Sequence, residues 1–166
     1  MSRQIKNIIA ITVSLICISL INVAGQNIEI EIRGMNAFTF ILIIAVLLQV
    51  IFFIPSFLLK TEKYFDIVGS LTYIITISIA YFSVENKTMI DSIIYFYVMV
   101  WASRLGIYLF RRVRNDGKDI RFEKAKRHFF WFLQYWMGQA LWVSLTACAA
   151  IIAILSPEDN TLPVFA

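Results

Sequence analysis

Five uninterrupted apolar stretches, each about 18 residues or longer, constrain this chain more than anything else in it. They fall at 8–25, 37–59, 67–84, 92–110 and 129–155. In hydrocarbon every backbone N–H and C=O must find its partner within the protein, so only helices and closed barrels can span. Barrel strands alternate apolar and polar residues, whereas the run from Phe40 to Leu48 is apolar on all sides, which predicts helix. Composition agrees: 60% of the 166 residues are hydrophobic and 16% charged, with a mean hydropathy of +0.75. The expected fold is all-α, a multipass transmembrane bundle forming one membrane domain over 1–166. The compartment is the cytoplasmic membrane or the endoplasmic reticulum membrane, according to the organism.

Basic residues set the orientation. Of the 15 lysines and arginines, 12 fall on one side of the alternating spans: Arg3, Lys6, Lys60, Lys63, Arg111, Arg112, Arg114, Lys118, Arg121, Lys124, Lys126 and Arg127. Arg33 and Lys87 lie on the other side, and Arg104 lies within the fourth span. The N-terminus is therefore expected in the cytoplasm. The first span, with its basic start and the small residues Ala24 and Gly25, also fits a cleavable leader. Its removal would leave four helices in the same orientation.

The net charge of +4 follows from this asymmetry and gives no case for nucleic acid. Membrane lipids are the expected partners of the basic segment. Cys17 and Cys148 both fall in apolar spans, where soft packing is the ordinary role. With His128 the sole histidine, no metal cluster of the usual spacing can be assembled. Phosphate loops, dinucleotide fingerprints, nucleophile triads and internal repeats are absent from the sequence.

Two helical stripes carry the polar chemistry. On the fourth span Tyr97, Trp101, Arg104, Tyr108 and Arg111 recur at helical spacing and share a face. Arg104 sits roughly 10 Å inward from Arg111 and Arg112, at about 1.5 Å per residue. Two readings stay open: an arginine snorkelling to the interface among aromatic rings, or one that faces a cavity and holds an anion with its planar fork. On the fifth span His128, Trp131, Tyr135, Gln139, Trp142 and Thr146 form a second stripe. It either packs on a neighbouring helix through Gln139 or lines a substrate cavity. Between the spans, Asn115-Asp116-Gly117 reads as a turn within a basic loop at 111–128. That loop is either a solvated hairpin or part of an anion site.

The pattern Trp101-x-x-Arg104-Leu105-Gly106, then Arg111-Arg112, then Gly117-x-Asp119-x-Arg121-Phe122, resembles that of membrane proteins of unknown function grouped with the steroid 5-alpha reductases. Asp66, Gly69 and Gln139 support the resemblance, which covers about 64–155. Lys118 stands where many relatives have glutamate, and Phe122 where many have tyrosine. The resemblance implies reduction of a carbon-carbon double bond in an apolar small-molecule substrate, with NADPH as donor. In that setting Arg104, Arg111, Arg112, Asp119 and Arg121 are the cofactor-binding candidates. Tyr108 and Tyr135 are the candidate proton donors, and Trp101, Gln139 and Trp142 the candidate substrate contacts. Similar proteins continue through further helices carrying a His-Pro-Asn-Tyr and Gly-Glu segment associated with the nicotinamide, and nothing in this sequence matches it. The chain is thus expected to be the N-terminal part of such a protein, a second chain being another source of the missing half. Two alternatives remain: a membrane methyltransferase of related architecture using S-adenosylmethionine, and a non-catalytic membrane subunit or lipid-binding protein.

Overall fold

The computed structural model of the chain describes residues 2–116 and 121–156, and for 113–116 the backbone alone. In order, the elements are α1 (Arg3–Val23), a hairpin of β1 (Glu31–Ile32) and β2 (Met35–Asn36), α2 (Ala37–Leu58), α3 (Phe65–Ser83), α4 (Met89–Asp116), a single 3₁₀ turn (Ala125–Arg127) and α5 (Phe129–Leu155). All five α-helices among the described residues are long and apolar enough to cross a membrane. The protein is an all-α, multipass integral membrane protein.

α1 and α4 begin before their hydropathic stretches because side-chain caps, and not hydropathy, set their starts, whereas α5 coincides with its stretch. The Ser2 hydroxyl accepts the Ile5 N–H at 3.4 Å, so α1 starts before its apolar core. At α4, Asp91 accepts the Thr88 N–H at 2.8 Å and Thr88 accepts the Asp91 N–H at 3.1 Å, a reciprocal capping box. At its other end α4 continues through Asn115 and Asp116, so the expected turn at these residues is corrected. Leaving hydrocarbon ends the apolar run, but arginines sustain a helix well.

The hairpin between α1 and α2 is a small addition to the expected all-helical fold. Arg33 and Gly34 both have positive φ, 55° and 76°, as a two-residue hairpin turn requires. Asn36 fastens it by donating to the carbonyls of Gly25 at 3.1 Å and Ile28 at 2.8 Å while capping Thr39 N–H. A side chain at Gly25 would run into the Phe38 ring, so the loop can close over α2 only with glycine there.

α1, α3 and α5 run parallel, and α2 and α4 run against them. α5 is central, packed against α1, α2 and α3, whereas α4 lies chiefly along α3. Gly106 permits that approach, since a Cβ there would come within 2.9 Å of Ser70 Cβ. Small residues at such crossings let helices meet closely in lipid. Gln49, fully buried in α2, donates to Thr72 Oγ1 of α3 at 2.9 Å. The core divides into an aliphatic cluster over most of the bundle and an aromatic one, built on Phe53, Phe65, Phe122, Phe132 and Trp136, at the end where α3 and α5 begin. The described basic residues 3, 112, 121, 126 and 127 gather at that same end.

Candidate functional site

Three residues of α3, Asp66, Gly69 and Tyr73, lie on one helical face, about one turn apart each, and each meets a polar or aromatic group from another element. Asp66, in the first turn, faces Arg112 at 3.3 Å from the end of α4 and Arg121 at 4.0 Å. Its side chain is 12% exposed, against 39% for Arg112 and 53% for Arg121, so the carboxylate is sheltered while both forks reach outward. Two cations on one carboxylate hold the end of α4 and the segment after residue 120 against the start of α3.

One turn deeper, the Gln139 side chain of α5 lies directly over Gly69, where any Cβ would collide with its amide. The Gln139 Oε1 atom is buried without a hydrogen-bond partner among the described residues. Replacing Gly69 with alanine should displace that amide by overpacking, a loss partly offset by the roughly 1 kcal/mol that alanine gains over glycine inside a helix. Adding Gln139→Ala should recover most of the loss, and a double-mutant cycle on thermal stability in detergent, showing coupling above about 0.5 kcal/mol, is the check.

Deeper still, Tyr73 is buried between Trp101 of α4, edge to face at 4.9 Å between ring centroids, and Thr146 of α5, to which its hydroxyl bonds. Thr146 spends its one hydroxyl proton on the Trp142 carbonyl at 2.7 Å, so the phenol is the donor in the Tyr73–Thr146 bond. The result is a polar seam roughly 10 Å long, at about 1.5 Å per residue, from the basic end of the bundle to membrane depth.

Local packing explains the placement of Arg121. Phe122 is 1% exposed and plugs into rings of Phe65 at 4.8 Å, Tyr135 at 5.0 Å and Phe132 at 5.9 Å. Next along, Lys126 donates to Glu62, whose side chain is buried, at 2.6 Å. The segment is thereby fixed at two points, and Arg121 is carried to Asp66.

The structure separates the residues proposed from sequence. Arg112, Arg121, Gln139 and Trp101 come together along the seam, and Tyr135 stands beside it against Phe122. Arg104, Arg111 and Tyr108 do not join them: all three are exposed, Tyr108 at 64%. Arg104 makes no ion pair among the described residues, and Arg111 borders a separate apolar groove between α3 and α4. The stripe drawn through Tyr97, Trp101, Arg104, Tyr108 and Arg111 therefore faces away from the bundle, except for the ring of Trp101. Arg112, about 100° further round the helix, turns inward. Trp142 is likewise exposed, though its carbonyl serves Thr146. Asp119 lies outside the described residues. Sequence reasoning missed Tyr73 as a site residue, and extending the Asp66–Gly69 face by one turn would have found it.

A model of the family described as a protein of unknown function, DUF1295, matches residues 52–166. The chain belongs to that family. No curated protein and no solved structure matches it. The matched region contains the whole seam, whereas α1 and the hairpin lie before it.

Proposed function

We propose that the chain forms the lipid-side portion of a membrane reductase that saturates a carbon-carbon double bond in an apolar substrate, in keeping with its resemblance to the steroid 5-alpha reductases. The observation that carries this reading is the seam itself. It joins a pair of guanidinium groups at the basic, cytoplasmic end to a phenol at membrane depth, within one contiguous stretch of α3, α4 and α5.

The donor set fits the phosphate end of a dinucleotide. Arg112 and Arg121 present planar forks suited to phosphate oxygens, both remain partly exposed, and Asp66 orients them. NADPH, when bound, supplies the hydride. The residues present do the remaining work: the arginines fix the cofactor's charged end at the surface, Trp101 and Gln139 are the contacts for the apolar substrate, and Tyr73 on the seam and Tyr135 beside it hold phenolic protons. Tyr73 takes the place first considered for Tyr108. The His-Pro-Asn-Tyr segment that the resemblance associates with the nicotinamide is not among these residues, and in this reading a further segment or a second chain supplies it.

In native membranes containing the chain, Arg112→Ala and Arg121→Ala should each weaken NADPH binding about tenfold, the loss of one charge-assisted contact. Tyr73→Phe should lower lipid-dependent NADPH oxidation while leaving that affinity in place. Unchanged affinity in both arginine variants rejects the phosphate role. Binding of S-adenosylmethionine in place of NADPH makes the protein a methyltransferase, and binding of neither makes it a non-catalytic subunit.

A further inference from the structure

A second polar site lies between the starts of α1 and α5 and shares no residue with the seam. α1 and α5 run parallel and begin side by side, framing a cavity of about 510 Å³ whose lining includes Arg3, Asn7, Arg127, His128, Phe130 and Trp131. Among the described residues no acidic side chain lines it, and neither helix carries one in its first turn. The positive ends of two helix dipoles therefore meet the charges of Arg3 and Arg127 without compensation. The Arg3 guanidinium lies over the Trp131 ring, 4.3 Å from its centroid, which fixes its plane and leaves its N–H edge for a ligand.

Asn7 points to the ligand independently. It is 8% exposed, lines the cavity, and makes no side-chain hydrogen bond among the described residues. Its amide opens onto the cavity and is not sealed in protein, and an oxygen-rich anion there would accept from it. The surroundings name the source of that anion. The cavity opens where two membrane-spanning helices reach the interface, the depth of lipid headgroups, and Phe130 and Trp131 supply the apolar and aromatic surface found there.

We propose that this cavity binds the headgroup of an anionic membrane phospholipid, its phosphate held by Arg3, Arg127 and the helix N-termini, its ester oxygens by Asn7, and its first acyl carbons by the aromatic rings. The site is separate from the Asp66 seam and stands whether or not the reductase reading holds.

The test is native mass spectrometry of the full chain released from nanodiscs of phosphatidylcholine and phosphatidylglycerol in equal parts. The wild type should retain one phosphatidylglycerol in preference to phosphatidylcholine. Arg3→Ala and Arg127→Ala, on different helices, should each reduce retention about tenfold, and Asn7→Leu severalfold. Lys60→Ala and Lys63→Ala, at the same end but outside the cavity, should leave it intact, and 10-fold excess inorganic phosphate should not displace the lipid. Equal loss in the Lys60 and Lys63 variants would show diffuse attraction to the membrane surface and overturn the proposal. So would retention indifferent to Arg3, Arg127 and Asn7, or displacement by inorganic phosphate.

Discussion

Phe122→Ala is expected to loosen the segment that carries Arg121 by about 3–5 kcal/mol, the range for removing a fully buried phenylalanine. The ring is 1% exposed and surrounded by Phe65, Phe132 and Tyr135, and these side chains cannot all close the void without leaving their own contacts with Trp136 and Phe53. Hydrogen exchange over residues 121–128 and tryptic cleavage at Lys124 and Arg127 should both accelerate, by more than a hundredfold where exchange reports local opening. Phe122→Leu keeps most of the volume and should cost about 1.5 kcal/mol or less. If the alanine variant exchanged at the wild-type rate, Phe122 would not be the plug that holds this segment down.

Lys126→Ala should be nearly as damaging, at about 3 kcal/mol, the lower end of what breaking a buried ion pair costs. Glu62 is 5% exposed on its side chain, so losing Lys126 takes a close countercharge from a carboxylate with little access to water. Thermal unfolding in detergent is the measurement, and exchanging the two charges, Glu62→Lys with Lys126→Glu, should recover part of the loss. Because Lys126 and Phe122 fasten the same stretch, the double variant Phe122→Ala/Lys126→Ala should lose less than the sum of the two single losses. Once the segment has detached, the second anchor has nothing left to hold.

The spans were legible because hydrocarbon enforces helix wherever about 18 apolar residues occur in a row. The ends were less so. Hydropathy stops at the membrane boundary, while Thr88 and Asp91 start α4 outside the apolar run and its arginines prolong it to Asp116. The stripe on α4 illustrates a deeper limit. Spacing reveals that Tyr97, Trp101, Arg104 and Tyr108 share a face, but in a helix apolar on most sides nothing in the spacing says whether that face turns toward α3. In a soluble protein polar residues mark the outside. In lipid the marker is weaker, and here the inward face is signalled by the small residues Ala102 and Gly106 instead. Asp66 and Gly69 were noticed through a resemblance, and their partners Arg112, Arg121 and Gln139 could be joined to them only once the helices were packed.

α4 lies along α3 and only grazes α5, so among the described residues the half-exposed Trp101 ring is the part of the seam turned to the bilayer, with Tyr73 buried beneath it. In the reductase reading, an apolar substrate dissolved in the membrane would reach the Trp101 ring by lateral diffusion in two dimensions, without crossing water, and would meet Tyr73 only by displacing that ring. Its effective concentration at the seam is then its mole fraction in the lipid rather than its aqueous solubility. Assays that report only the total amount of substrate added would confuse partitioning with affinity, and substrates ranked that way would follow their hydrophobicity more closely than their fit.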